Sequence, residues 1–406
     1  MLAYFLYRDF CLWAEHEDGF LEVVNRKEMD FLHVLVTGGC GFIGSHVALH
    51  LREKGHRVSV MDNLVRRGSE RNIAVLTHHD ITYFHGDVRN PEDLDNLPSG
   101  IELVCDASAQ PSVVTGYANP LFDIANNGLG AIHILEYVRA HRLPLIFWSS
   151  NRVYGADRLN ALPRRETSTR FEYDSDEWNR LPMERRPTGF HPVHGISEEF
   201  SIDGGQRSIY GLSKLVADAA CQEYAQAYDL PIVVNRFGVI SGIGQFGHTD
   251  QGWVVWWAIA HWFKLPLTYL GWRGKQVRDV LFVEDMLTLL DRQVAQLASF
   301  RGEVFNLGGG AANAISLCET TKCMEEISSR ATSVAASDQA RKGDIVLYWT
   351  DNRKAAQALD WRPQTDLHTG FTRIFDWIRE NEVELRACTT LDRALCRYRH
   401  FLVTAA

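Results

Sequence analysis

From residue 31 onward, short apolar runs alternate with longer stretches in which apolar residues recur every three or four positions. The runs at 33–38, 57–62, 81–87, 102–108, 144–150 and 231–237 read as strands. They are almost continuously apolar, as strands of a parallel sheet covered on both faces must be. Between them, 42–54, 119–141 and 208–229 have the length and apolar spacing of helices. This alternation predicts an α/β fold built on a doubly wound parallel sheet.

The pattern changes after about Ile240. Gly-punctuated, aromatic-rich segments follow, with shorter helices expected at 317–329, 352–360 and 367–382. The organisation implied is an N-terminal extension (1–30), a first domain (31–240), a smaller mixed substrate domain (241–382) and a C-terminal extension (383–406). Within the second part, 276–297 is expected to pack back on the first domain. Residues 157–207 are rich in Arg, Glu, Pro and Gly without a sustained period, and read as a long excursion near the ligand cleft.

Thr37-Gly38-Gly39-Cys40-Gly41-Phe42-Ile43-Gly44 follows the first expected strand and opens the first expected helix. That context turns a weak glycine pattern into a dinucleotide-binding turn. Gly38 permits the tight turn, Gly41 lets the backbone approach a pyrophosphate, and Gly44 lets the helix pack closely on the sheet. Phe42 and Ile43 start the helix, whose free N–H groups and dipole attract an anion. The sheet is thus a Rossmann sheet. Asp62, with Asn63 after it, ends the second strand 24 residues beyond Gly38, where a carboxylate accepts both adenosine ribose hydroxyls. Its plainer explanation is a helix N-cap. Arg66 and Arg67 would suit a 2′-phosphate, but Asp62 would repel one, so the expected cofactor is NAD rather than NADP. Asp87 and Val88, in a Gly-Asp-Val after the third strand, are candidates for adenine contact, with a turn role as the alternative.

Tyr210 and Lys214 stand four residues apart, on one face of an expected helix between two strands of the same sheet. Ser149 and Ser150 end the fifth strand at the carboxyl edge, where open α/β sheets bind ligands. A serine there is often only a cap. Together with Tyr210 and Lys214, however, Ser150 makes a hydride-transfer site. A carbinol must lose its proton as its hydride leaves, so Tyr210 must be partly phenolate near neutral pH, and a neighbouring cation is what lowers a phenol's pKa. Ser150 would orient the substrate hydroxyl and stabilise charge on its oxygen.

The glycine turn, Asp62-Asn63-Leu64, Asn127, the Ser149-Ser150-Asn151-Arg152-Val153-Tyr154-Gly155 run, the Tyr-Lys pair and Asn306-Leu307-Gly308-Gly309 together resemble the extended short-chain dehydrogenases/reductases, the NAD-dependent epimerase/dehydratase family. The resemblance spans about 31–382. Asp250-Gln251-Gly252-Trp253 and Gly274-Lys275-Gln276-Val277-Arg278-Asp279 resemble the CDP-paratose (CDP-tyvelose) 2-epimerases in particular. The resemblance implies catalytic Ser150, Tyr210 and Lys214, cofactor contacts from Gln110 and Asn127, and substrate contacts from Gln251, Arg278, Arg341 and Asp344. Arg278 would grip the nucleotide pyrophosphate, unless it serves only an ion pair with Asp279; Gln110 and Asn127 could equally be backbone hydrogen-bonders. Two departures stand out: Asp106 occupies a place where His is common, and the 157–207 excursion is longer than the family's.

The expected function is an NAD-dependent epimerase that inverts a ring carbinol, C2 favoured, of a CDP-linked sugar by transient oxidation and hydride return. A 4-epimerase or another nucleotide-sugar redox enzyme is the first alternative. A 4,6-dehydratase is disfavoured because Asn151-Arg152, not Asp-Glu, follow Ser150. A silent NAD-binding scaffold is disfavoured by the intact Ser150, Tyr210 and Lys214.

A net charge of −9 argues against a nucleic-acid partner. Eight cysteines without a Cys-x-x-Cys pair predict reduced thiols and no metal, and Arg8 and Asp9 break the first apolar run too early for a membrane span. The expectation is a cytoplasmic homo-oligomer, dimer or tetramer, whose partner is a nucleotide sugar.

Overall fold

A computed structural model of the protein describes residues 31–66, 68–247 and 251–386. The extension at 1–30, residues 387–406 of the C-terminal one, Arg67 and Asp250 lie outside these. The central sheet has seven strands: β1 (His33–Thr37), β2 (Arg57–Asp62), β3 (Thr82–His85), β4 (Leu103–Asp106), β5 (Leu145–Ser150), β6 (Ile232–Phe237) and β7 (Glu303–Leu307). Their order across the sheet is β7-β6-β5-β4-β1-β2-β3, and every pairing is parallel.

Alternation along each strand feeds two cores. Val34 and Val36 of β1 point to one face and Leu35 to the other; Leu103 and Cys105 oppose Val104 in the same way on β4. The first face is covered by helix α1 (Phe42–Glu53), and the second by α2 (Gly130–His141) and α3 (Ile209–Tyr228). Because both faces are buried, apolar residues at successive positions each find a core, which explains the unbroken apolar runs.

The expected helix at 119–141 is interrupted. Pro120–Ile124 is α-helical, Ala125–Leu129 forms a π-turn, and α2 continues from there. The extra residue lets Asn126 and Asn127 face inward, an arrangement that π-turns commonly serve at ligand sites.

Beyond β6, helix α4 (Trp253–Phe263) builds a separate core with Met324 and with Phe371, Ile374 and Ile378 of the helix Leu367–Glu380. The strand Val277–Phe282 leads into helix α5 (Val283–Val294), whose Met286, Leu289 and Leu290 join the core beneath α1. Met286 also receives the Trp148 indole N–H from β5 at 3.3 Å.

Residues 157–207 fold into short elements around Tyr173, Trp178 and Phe190, packed against Tyr154, Tyr348 and Trp349. Aromatic burial thus replaces the missing periodicity. The excursion buttresses two segments at once. Phe171 N–H donates to Lys275 O at 3.0 Å, and Asn160 Nδ2 donates to Asp344 O at 3.0 Å. Tyr173 OH also donates to Leu347 O at 3.2 Å.

A buried ion pair pins the ends of β5 and β6. Arg236 donates to both Asp218 oxygens, at 2.9 and 2.7 Å; Ser149 Oγ donates to Asp218 Oδ2 at 2.5 Å. Asp218→Ala would leave the Arg236 charge unpaired in the core and is expected to destabilise the fold by about 3–5 kcal/mol. Urea unfolding of wild type and variant checks it.

Candidate active site

The glycine turn runs directly off β1. Gly38 has φ 65°, and its carbonyl accepts the Gly41 N–H at 3.0 Å. A Cβ on Gly44 would lie 2.1 Å from Gly38 O, so no side chain can stand where α1 crosses the turn. Gly41 has only that carbonyl near its Cβ position, at 3.2 Å, and lines a cavity of about 300 Å³. Gly38, Phe42, Ile43, Gly44, Asp62, Asn63 and Val88 line it too.

Asp62 accepts Cys40 N–H at 3.0 Å and Leu64 N–H at 2.8 Å. Burial pushes its pKa up, against those two N–H groups, which hold it down. A carboxylate has about four acceptor positions, so these N–H groups leave capacity for a ribose hydroxyl. Backbone N–H groups, a bare turn and this carboxylate fit the dinucleotide that the sequence implies.

Several sequence-predicted cofactor residues sit behind the cavity instead of lining it. Asp87 is held by Arg89 Nε and Nη2 and by Asn63 Nδ2; burial raises its pKa, but these bonds bring it down to about 2. Gly86 and Val88 form the wall there. Asn127 Oδ1 accepts Gln110 N–H at 2.7 Å, and Asn127 Nδ2 donates to Gln110 O and to Ser213 Oγ, both at 3.0 Å. Gln110 Nε2 donates to Asp123 Oδ1 at 2.5 Å. Both amides therefore hold the loop whose Ser108, Ala109 and Pro111 line the cavity. Asp106 fixes the other end of this loop by accepting Thr37 Oγ1 at 2.7 Å and Ser108 Oγ at 2.6 Å.

A second cavity, of about 450 Å³, adjoins the first. Ser150, Tyr210 and Gln251 line both. Ser150 ends β5 and Tyr210 starts α3, so the turn of each element presents its hydroxyl at the junction. Burial raises the Tyr210 pKa, while the neighbouring Ser150 hydroxyl and the charge on Arg152 lower it. Lys214, one turn along α3, is buried, with Nζ 4.5 Å from the Phe147 ring centre. Burial lowers its pKa against the pull of Asp106, Asp218 and Asp123.

Trp253, Trp256 and Trp257 of α4 form one wall of the second cavity, and Arg278, Arg341 and Asp344 lie at its far side. None of its lining residues comes from 157–207; that segment lies behind it. Arg278 does not pair with Asp279. Its Nη2 donates to Asp344 Oδ1 at 2.7 Å and to Ile345 O, and burial pushes its pKa down to about 10. Asp279 instead accepts Gly310 N–H and Thr350 N–H, both at 3.0 Å, with burial pushing its pKa up to about 6.

Sequence reasoning missed Arg152 as a cleft residue. Its guanidinium donates to Gly343 O at 3.2 Å and approaches Asp344 Oδ1 at 3.5 Å. Its place two residues after Ser150 was the available signal.

Comparison with known proteins agrees with this geometry. The model of the NAD dependent epimerase/dehydratase family matches residues 34–177, and that of GDP-mannose 4,6 dehydratase matches 191–374. The chain is 33% identical to CDP-paratose 2-epimerase of Salmonella typhi over 359 residues, 85% of this chain and 99% of that protein. It is 28% identical to a putative UDP-glucose 4-epimerase of Methanocaldococcus jannaschii over 353 residues, 86% and 99% of the two. The Thermus thermophilus UDP-glucose 4-epimerase in complex with NAD superposes with a TM-score of 0.66 at 25% identity, covering 86% of this chain and 99% of that one. The chain therefore belongs to the NAD-dependent epimerase/dehydratase family, as an enzyme whose cofactor is NAD.

Proposed function

We propose that the protein is a nucleotide-sugar epimerase that inverts C2 of a CDP-linked sugar, with Ser150, Tyr210 and Lys214 as its catalytic residues. The observation that carries the epimerase reading is the junction: Ser150 and Tyr210 line both the dinucleotide-shaped cavity and the arginine-bearing one. The 33% identity to a CDP-paratose 2-epimerase supports CDP and C2. Proton NMR in deuterated water on CDP-, UDP-, GDP- and dTDP-linked sugars tests the reading, because inversion at one carbon changes the coupling of one ring proton.

Tyr210 accepts the carbinol proton and later returns it, while Ser150 donates to the reacting oxygen. Lys214, one turn along α3 from Tyr210, is the cation assigned to stabilise its phenolate. NAD bound in the first cavity supplies the hydride acceptor that makes the oxidation reversible. Because the same hydride and proton return, the cycle leaves no net redox change. Arg278 and Arg341 hold the diphosphate, and Gln251 faces the sugar from the junction. A dehydratase would need a carboxyl acid and base beside Ser150. Among the described lining residues the carboxylates are Asp62, at the ribose end, and Asp344, held by arginines.

The homo-oligomer expectation has a surface to match. Leu121, Leu129 and Leu212 are 78%, 46% and 39% exposed, on three neighbouring helical segments. A second copy of the chain would cover them. Among the described residues no helix is long and apolar enough to cross a membrane.

Tyr210→Phe is expected to lower turnover by at least about 100-fold while bound NAD is retained; turnover and cofactor content of the purified variant check it. Arg278→Ala is expected to weaken CDP by about 2–4 kcal/mol with little change in NAD affinity, since only the second cavity loses a charge. Calorimetric titration with each ligand separates this outcome from a general loss of structure. Leu212→Arg is expected to shift the protein toward monomer, read by light scattering against wild type.

A further inference from the structure

Two guanidinium groups in the second cavity reach one carboxylate oxygen. Arg278 Nη2 stands 2.7 Å from Asp344 Oδ1, Arg152 Nη2 3.5 Å from the same atom. The Arg152 contact is the looser, and its side chain is 23% exposed against 11% for Arg278. Gly343 O at 3.2 Å is its other side-chain acceptor among the described residues, and Arg152 lines the second cavity.

The backbone ties Arg152 to the reacting end. Its N–H donates to Ser150 Oγ at 3.2 Å, and a Cβ on Gly211, the residue after Tyr210, would lie 2.4 Å from its carbonyl oxygen. Its charge acts on the Tyr210 phenol as well. Arg152 therefore stands between the catalytic hydroxyls and Arg278, on a line that a sugar diphosphate would follow.

We propose that Arg152 binds the sugar-side phosphate of the substrate while Arg278 binds the nucleoside-side one, and that this spacing selects the carbinol at C2. The inference rests on the epimerase reading above. The sugar-side phosphate is esterified to C1. C2 is its immediate neighbour, whereas C4 lies across the ring. A phosphate held at a cation that adjoins Ser150 and Tyr210 leaves room for the near carbinol to reach them, and carries the far one past them. Each phosphate of a diphosphate offers paired oxygens that the planar, two-pronged guanidinium matches better than an ammonium.

The test uses the NAD-loaded enzyme, Arg152→Gln and Arg152→Lys, with CMP, CDP and CDP-paratose as probes. CMP carries only the nucleoside-side phosphate. Arg152→Gln is expected to weaken CDP by roughly tenfold or more while CMP stays within about twofold, and to raise KM for CDP-paratose with it. Arg152→Lys, which keeps the charge, is expected to recover part of the CDP affinity and less of the C2 turnover. The kcat/KM profile of Arg152→Gln is expected to move to higher pH, because Tyr210 then faces Asp123 without the Arg152 charge. Equal losses for CMP and CDP, or unchanged CDP affinity and C2 turnover in a folded Arg152→Gln, overturn the Arg152 assignment. A wild-type enzyme that inverts C4 and leaves C2 untouched overturns the C2 reading itself; CMP and CDP binding still decide the phosphate contact in that case.

Discussion

A buried ammonium must be compensated, and Lys214 is the charge around which this protein is arranged. It lies 2% exposed against the face of Phe147, with Asp106, Asp218 and Asp123 as the carboxylates that sustain its charge. Each carboxylate also fixes a different part of the site. Asp106 fastens the glycine turn to the following loop through Thr37 and Ser108; Asp218 joins Ser149 of β5 to Arg236 of β6. Asp123 accepts from Gln110 and Ser213, and so steadies the loop and α3 together. Spreading the compensation over three groups keeps any one of them from forming a tight pair with Lys214. The ammonium remains available to a phenolate one turn away.

This arrangement explains a tension in the free protein. Burial raises the Tyr210 pKa and lowers that of Lys214, so desolvation works against the phenolate that the chemistry requires. Arg152 counters it in the protein; in the proposed mechanism Lys214 and, with the cofactor bound, the positive nicotinamide ring would add to that effect. In the proposed mechanism, proton transfer at Tyr210 is therefore coupled to a filled first cavity, which suits an enzyme that must not lose its cofactor between the two halves of its cycle.

What the sequence made legible was whatever depends on neighbours along the chain. The glycine turn, Asp62 closing its strand, and Tyr210 with Lys214 on one helical face are local patterns, and the structure brings them to one cleft. The sheet was legible for the same reason, since burial on both faces leaves its mark on consecutive residues. Pairings across long separations were not. Arg278 was weighed against its neighbour Asp279, whereas its partner Asp344 is 66 positions away. Gln110 and Asn127 are read as cofactor contacts or backbone hydrogen-bonders; the Asn127 amide is spent on the Gln110 backbone and the Gln110 amide on Asp123, which no spacing rule exposes. The π-turn that brings Asn127 inward has no apolar signature, because it adds one residue to a helix whose periodicity otherwise continues. The excursion at 157–207 lacked a period because its core is aromatic and shared with residues 345–349.

That shared core has a consequence for the cleft. Asn160 grips the Asp344 segment from both sides, accepting Val346 N–H at 2.8 Å and donating to Asp344 O at 3.0 Å. Lys275, three residues before Arg278, donates to Glu166 at 2.7 Å and to Thr167 O at 2.9 Å. One excursion therefore holds both the strand carrying Arg278 and the segment carrying Asp344, and the distance between those residues is set from behind the cavity. Asp344 in turn keeps two guanidinium groups close together in the absence of a phosphate, against their mutual repulsion. In the proposed assignment, an incoming diphosphate would meet cations already gathered, so little of its binding free energy would go to ordering them. The long insertion thus sets the spacing of the proposed recognition residues, although none of its own side chains lines the second cavity.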